Sequence, residues 1–468
     1  MLTNTAVFPK ITTNQLPIFR QDYGAYTLFY APGYLAIVLP EQVEQFSHAP
    51  ASSRHELTSI TTQLFNHARA AQETWTAVSS QPFTPYCLTL YLHNECNLRC
   101  TYCFAEPSPQ PALRLSQPAI TAAAKLVLAT CQAHDRPFTL VCHGGGEPTL
   151  HHALLQQALQ TVSDMAAARQ VPLFRYIATN GVISSQTARW LAQNFDMIGL
   201  SCDGPSDVQN KQRPLWSNGN SSEQVERTAH ILHEEGTPFD VRVTITNHTW
   251  QQQAEIAAYI CQVLQPNEIH VEPVYHSGRA KSHRSMMDAN LFVAAFLKAE
   301  QVAQQHGIPW RMSGSRPDQI HGPYCHLFRH VLNLVPEGIA TACFKTSWPE
   351  NVQQVGVQIG ELDEKNGRFI LHQNQIEKLT TKLHPIPESC RNCFNQYHCV
   401  RHCPDHCPME TTDSPINSFR CRVNRQLMLT RLQETAVSLW HKARSSNGVV
   451  GQKITNEFVG VHTKEVEN

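Results

Sequence analysis

Leu88-Thr-Leu-Tyr-Leu-His-Asn-Glu-Cys96-Asn-Leu-Arg-Cys100-Thr-Tyr-Cys103-Phe104 is the stretch on which the fold turns. Its first half, Leu88 to His93, is a short apolar run with strand character. Its second half sets three cysteines at CxxxCxxC spacing in a loop directly after that strand. A loop this short can wrap three thiolates around one face of a cube-shaped cluster. Each thiolate then serves one iron of a [4Fe–4S] centre, and the fourth iron stays open. Spacing alone leaves two other readings: a zinc site with a distant fourth ligand, and reduced core cysteines.

Composition narrows the classes around this loop. The 468 residues correspond to about three domains at ~150 residues each. Lys+Arg is 37 and Asp+Glu is 38, a balance that argues against a general nucleic-acid binder. Hydrophobic residues are 41% and charged residues 16%, enough to bury a sizeable core. Apolar runs such as Tyr34 to Pro40 fall far short of the ~20 residues a membrane span needs. No basic region followed by an apolar stretch opens the sequence, so the expected location is the cytoplasm. In that compartment the clustered ones among the 16 cysteines read as metal or iron–sulfur ligands rather than disulfides.

Strand–helix alternation surrounds the loop. Candidate strands are Leu88–His93, Phe138–Cys142, Phe174–Ala178, Met197–Ser201, Asp240–Thr246 and Ile269–Tyr275, with amphipathic stretches between them. This argues for a parallel α/β sheet or partial barrel, whose chemistry sits where the strands end. The expected division is a small N-terminal α+β module (1–84), the barrel (85–308), a cysteine-rich region (309–430), and a closing helix with a mobile polar tail (431–468). Residues 1–84 are expected to serve as a lid or to dock a peptide. Val331–Val335 and Ile339–Phe344 read as a hairpin around Pro336-Glu337-Gly338.

Cys96-x3-Cys100-x-Tyr102-Cys103-Phe104 resembles the signature of the radical S-adenosylmethionine (SAM) superfamily. The resemblance covers about residues 85–305. It implies a partial (β/α)6 barrel with the open iron chelating SAM. His143-Gly144-Gly145-Gly146-Glu147-Pro148 ends the second strand and resembles the family's GGE motif. By that resemblance Gly144, Gly145, Gly146 and Glu147 bind the SAM amino group, and Asn180, Ser201 and Asp203 contact its ribose and methionine parts. Arg213 resembles a loop arginine of peptide-modifying relatives. For the side chains, helix caps, turns and a surface cation are the plainer readings.

Seven cysteines lie downstream: Cys325, Cys343, Cys390, Cys393, Cys399, Cys403 and Cys421. Seven thiolates suit one complete four-thiolate site and one three-thiolate site, with zinc ribbons as the alternative. The pattern resembles the SPASM domain, which carries auxiliary [4Fe–4S] clusters. Carried over by resemblance, Cys325, Cys343 and Cys403 hold the first auxiliary cluster. Cys390, Cys393, Cys399 and Cys421 hold the second. An eighth cysteine expected before Cys325 is missing, which leaves an open iron or a ligand such as His321; Cys407 is an unplaced extra. Cys87, Cys131, Cys142, Cys202 and Cys261 read as core residues.

The resemblance implies an oxidoreductase that cleaves SAM to a 5′-deoxyadenosyl radical. Its partners would be a ribosomally made precursor peptide and an electron donor such as flavodoxin or ferredoxin. A cross-linking peptide maturase is favoured because Phe344 follows Cys343, where anaerobic sulfatase maturases carry an acidic residue, and because only seven auxiliary cysteines are visible. The formylglycine-forming sulfatase maturase is the alternative. A non-catalytic metal-binding protein is a third, disfavoured because neither the cysteine loop nor the glycine motif is missing. No catalytic base is legible. Glu272 at the end of the sixth strand offers SAM binding, substrate binding or proton transfer, as does Arg242 on the fifth, with an ion pair between such groups as the favoured reading.

Overall fold

A computed structural model describes residues 16–43, 55–106, 112–217, 219–274, 278–282, 288–314, 316–317, 319–321, 327–343, 356–386, 388–399, 419–446 and 450–454. Among these, the strands β4 (Cys87–Leu90), β5 (Phe138–Cys142), β6 (Leu173–Thr179), β7 (Met197–Ser201), β8 (Phe239–Ile245) and β9 (Glu268–Pro273) lie side by side in chain order, all parallel. Helices fill the crossovers. Gln117–His134 starts where the Ser116 hydroxyl accepts the Ala119 N–H, and Ser185–Asn194 starts the same way at Ser184. Strands that keep sequence order through right-handed crossovers put every crossover helix on one face. Leu88, Leu140, Ile177, Leu200, Val241 and Val271 point that way and share one core with the helices. The alternate residues line the opposite, inner face of a partial (β/α)6 barrel that does not close.

The sheet extends at both edges. Two-residue β10 (Trp310–Arg311) adds parallel to β9. On the other edge the chain returns from the far side of the barrel, and β11 (Val331–Val335) pairs parallel with β4. Three antiparallel strands follow: β12 (Ile339–Thr341), β13 (Gln358–Asp363) and β14 (Arg368–Leu371). The expected hairpin at 331–344 is therefore present, although β12 stops at Thr341.

The N-terminal module is a second sheet, β1 (Phe19–Asp22), β2 (Thr27–Ala31) and β3 (Tyr34–Val38), joined by a strand from the other end of the chain, β15 (Val450–Lys453). The tail was expected to be mobile. Residues 450–453 instead complete this sheet, because β3 offers an open edge and Ile454 N–H reaches the Gly33 carbonyl at 2.9 Å. One face of the sheet packs on the helix His55–Ser80 through Phe29, Ala36, Leu64 and Ala68. The other packs on the long helix Phe419–Ser446 through Tyr30, Leu35, Met428 and Leu432. No described helix is long and apolar enough to cross a membrane.

Candidate active site

The three cysteines of the first loop sit beyond β4, at the C-terminal end of the parallel strands. Main-chain bonds grip the loop on three sides. Arg99 and Thr101 donate to the carbonyls of Pro214 and Gln212 at 2.8 and 2.9 Å, and Trp216 donates back to Asn97 at 3.3 Å. Glu147 N–H reaches the Glu95 carbonyl at 2.9 Å, and Arg279 N–H reaches that of Cys103 at 3.1 Å. The Arg279 guanidinium also takes the Cys100 carbonyl at 3.2 Å. Burial pushes the Cys96 thiol up to about 12 and raises those of Cys100 and Cys103; charge on any one of the three would raise its neighbours further. Three buried thiols on one short loop, with Cys96 and Cys103 near enough to act on Cys100, are a donor set suited to a metal centre, whose cations stabilise the thiolate form.

The glycine run after β5 comes up against this loop. A Cβ on Gly146 would lie 1.9 Å from the Glu95 carbonyl oxygen, so only glycine permits the approach. The buried Glu147 carboxylate accepts from Thr149, from the Thr179 hydroxyl at 2.9 Å and from the Asn180 N–H at 2.7 Å. The Asn180 amide donates to Asn97 Oδ1 at 2.7 Å and approaches Cys96 Sγ at 3.8 Å. Glu95, one residue before Cys96, takes a 2.5 Å bond with His151 beyond the glycine run.

Asp203, past the end of β7, is fully buried. Its carboxylate accepts from Tyr102 Oη (2.6 Å), Gln212 Nε2 (2.8 Å), Arg213 Nη2 (3.1 Å) and the Thr244 N–H (3.0 Å). Arg213 Nε lies 3.0 Å away as an ion pair, and the guanidinium covers the Tyr102 ring at 5.4 Å. All the acceptor positions of this carboxylate are thus filled by protein donors. Asp203 and Arg213 touch the thiol loop through Tyr102. Ser201 is half-buried on the inner face. Beside the loop lies a cavity of about 250 Å³ lined by Thr101, Tyr102, Lys211, Gln212, Thr246 and His248.

A family model, the radical SAM superfamily, matches residues 90–260, the stretch that contains the thiol loop, the glycine run and the Asp203 network. Those residues are a radical SAM domain. The cysteine-type anaerobic sulfatase-maturating enzyme of Clostridium perfringens is 25% identical over 170 residues, 35% of this chain and 45% of that one. The serine-type enzyme of Klebsiella aerogenes is 24% identical over 162 residues, 34% and 40% of the two chains. This chain therefore aligns with less than half the length of these curated relatives. The solved structure of native anSMEcpe with bound AdoMet and Cp18Cys peptide superposes with a TM-score of 0.60 at 16% identity, over 76% of this chain and 99% of that one. That likeness shows the fold. A radical SAM domain implies a [4Fe–4S] cluster and SAM.

Cys343 follows β12 and lies close enough to Tyr91, the inner-face residue after β4, to raise its hydroxyl further beyond what burial does. Cys390 and Cys393 share a turn, with Cys393 N–H on the Cys390 carbonyl at 3.1 Å. Asn424, three residues past Cys421 on the long helix, places its amide 4.0 Å from Cys399 Sγ. His398 is buried. Its Nδ1 lies 2.7 Å from the Gln319 carbonyl, which can only accept, so Nδ1 carries the proton and Nε2 accepts from Tyr30 Oη at 2.7 Å. Cys325, Cys403 and Cys407 lie outside the described residues. His321 is buried, with its main-chain N–H on the Tyr397 carbonyl at 2.7 Å. Cys87, Cys131, Cys142, Cys202 and Cys261 are buried, as expected of core residues.

Glu272 forms an ion pair, but with a partner the sequence did not suggest. Arg420, next to Cys421, takes it at 2.8 Å, and Ser313 N–H adds a bond at 3.0 Å. Arg242 bonds the Tyr176 hydroxyl instead. Sequence reasoning also missed Arg279, Tyr176 and Gly199. The only signal for the last was a glycine in the middle of an apolar strand.

Proposed function

We propose that this chain is a radical SAM enzyme that modifies a peptide. In this reading Cys96, Cys100 and Cys103 hold the [4Fe–4S] cluster. Gly144, Gly145, Gly146, Glu147, Asn180, Ser201, Asp203 and Arg213 build the SAM site, the last two by fixing Tyr102. When bound and reduced, the cluster supplies the electron that splits SAM into methionine and a 5′-deoxyadenosyl radical able to take hydrogen from a peptide C–H. The observation that carries the reading is the caged loop: three adjacent thiols gripped by main chain at the C-terminal end of a parallel barrel. Cys325, Cys343 and Cys403, and Cys390, Cys393, Cys399 and Cys421, are assigned to two auxiliary clusters. Arg420 and Glu272 join that region to the barrel.

The product we favour is a cross-link or related change in a ribosomally made precursor peptide, with a flavodoxin or ferredoxin as electron donor. Formylglycine formation on a sulfatase is the second reading, supported by the activity in the names of both relatives. One experiment decides between them. The anaerobically reconstituted full chain is given SAM, a reductant and either a candidate precursor peptide or a sulfatase peptide. Release of 5′-deoxyadenosine supports the radical reading, and its absence in every arm overturns it. The mass change of the peptide then separates a cross-link from formylglycine.

A further inference from the structure

The inner face of the barrel presents a guanidinium, that of Arg242, that forms no ion pair with a described carboxylate, although Asp240 and Glu272 lie near enough to favour its charge. Val241, Val243 and Ile245 of β8 pack against the helices, so Asp240, Arg242 and Thr244 face inward. Arg242 is exposed although its strand lies in the middle of the sheet, with β7 on one side and β9 on the other. Its Nε donates to Tyr176 Oη at 3.1 Å, and its guanidinium carbon stands 5.9 Å from that ring. Tyr176 is on β6, two strands away, and must cross β7 to get there. It crosses at Gly199, where a Cβ would lie 1.9 Å from the Tyr176 hydroxyl oxygen. The missing side chain on the intervening strand is what allows the phenol to brace the arginine.

The carboxylates on the same face have other cations. Glu272 pairs with Arg420 at 2.8 Å. Glu268 pairs with His270 at 2.9 Å and Arg311 at 3.4 Å. Asp240 has His270 at 3.7 Å. The neutral neighbour across the face is His143, held down at about 4 by burial and then by the Arg242 cation. A guanidinium has five N–H donors, and among the described residues only one of these is used. The terminal fork is the geometry that takes a carboxylate through two parallel bonds. Its position suits the reaction. Thr244, two residues or ~7 Å further along β8, donates to Asp203 and so touches the network that fixes Tyr102 in the thiol loop.

We propose that Arg242, braced by Tyr176 through the gap at Gly199, is a specificity-determining residue that pairs with a carboxylate of the bound peptide. This rests on the peptide-modifying reading and adds to it a substrate class: peptides with an Asp or Glu beside the residue that reacts. The α-carboxylate of SAM has the same chemistry, so the test separates the two sources. The full chain and its Arg242→Gln, Arg242→Lys and Tyr176→Phe variants are reconstituted anaerobically. Binding is measured for SAM alone and for acetyl-Ala-Asp-Ala-amide and acetyl-Ala-Asn-Ala-amide in the presence of SAM.

The unaltered chain should prefer the Asp peptide by about tenfold or more, the scale of one charge-assisted pair. That preference should fall to near one in Arg242→Gln and shrink in part in Arg242→Lys and Tyr176→Phe, while SAM binding stays within about twofold. Equal binding of the two peptides by the unaltered chain overturns the proposal, as does a preference that survives in Arg242→Gln. A tenfold or greater loss of SAM affinity without change in peptide preference assigns the arginine to SAM and also overturns it. Because Arg242 is exposed, its variants should keep the melting temperature, which checks folding. Reductive release of 5′-deoxyadenosine tests the underlying reading separately. An Asp preference with no such release would sink the radical reading and leave the carboxylate site standing.

Discussion

The loop of Cys96, Cys100 and Cys103 and the segment of Cys390, Cys393 and Cys399 both gather thiols within a short stretch of chain, but they are held differently. The first is gripped by main-chain bonds to residues 147, 212, 214, 216 and 279. The second has its own local turns and one main-chain bond from outside, His321 N–H to the Tyr397 carbonyl, and otherwise leans on side chains: His398 to Tyr30 and Gln319, and Asn424 to Cys399, with Arg420 to Glu272 beside it. A main-chain cage depends little on which side chains surround it. A cage made of side chains from three separate elements fails when one of them changes. The contrast fits a fixed centre that does the same chemistry on every turnover, beside a region adapted to one substrate.

The sharpest way to break the comparison is to remove a thiol from each side. Cys100→Ala should lower reductive SAM cleavage by more than about 100-fold, since even groups behind a metal ligand cost 10- to 100-fold. Cys399→Ala should leave SAM cleavage within a few-fold and abolish peptide product. Iron content and 5′-deoxyadenosine release, measured with and without peptide, give both numbers. Equal loss of SAM cleavage in the two variants would erase the distinction.

Next in size are the few side chains on which the first cage does depend. Asp203→Asn leaves the buried Arg213 without its counter-charge and should cost about 3–5 kcal/mol in denaturant unfolding. Gly146→Ala forces a Cβ against the backbone carbonyl of Glu95 and should cost about 3 kcal/mol, the upper end of overpacking. Both should lower iron loading of the first centre and spare the C-terminal one. Stability loss with unchanged iron distribution would mean that the cage is not specific to that loop.

A control comes from the other end of β8, away from both sets of thiols. Burial holds the Asp240 carboxyl up at about 6, and its Oδ1 has no hydrogen-bond donor. The folded chain therefore binds more protons there than the unfolded chain between about pH 4 and 6, and stability falls as pH rises through that window. Asp240→Asn should remove this fall, worth about 2–3 kcal/mol at 1.36 kcal/mol per pKa unit, without moving iron from either centre. Parallel stability curves for variant and parent between pH 4 and 7 would show that the carboxyl is not held up.

Much of the barrel was legible because its strands carry local signals. The six apolar runs and the turn chemistry after them lie within two or three residues of β4–β9. The thiol loop and the glycine run were visible as spacing. Pairings between distant parts of the chain were not visible. Periodicity says nothing about β11 choosing the β4 edge or residues 450–453 choosing β3, and two-residue β10 is shorter than any pattern window. Burial also escaped the sequence. Asp203 reads as a polar residue at a strand end and Arg213 as a loop arginine, each free to meet a ligand, and the fold turns them toward each other.

The smallest expected effect tests whether the second cage is made of side chains at all. Tyr30→Phe removes one hydroxyl from β2 and leaves the ring in its packing. It strips the donor from His398 Nε2, which is buried beside Cys399, so it should cost about 1–2 kcal/mol, the price of one unsatisfied buried acceptor. Unfolding midpoints at unchanged denaturant slope give that number. The second centre should bind iron less completely, while SAM cleavage without peptide stays unchanged. The double variant Tyr30→Phe/His398→Leu replaces both partners by apolar groups and should recover part of the stability, since the penalty belongs to the orphaned nitrogen and not to the pair. If Tyr30→Phe changed neither stability nor iron, the N-terminal sheet would only pack against the thiol segment, and main-chain turns would have to hold Cys390, Cys393 and Cys399 much as they hold the first loop.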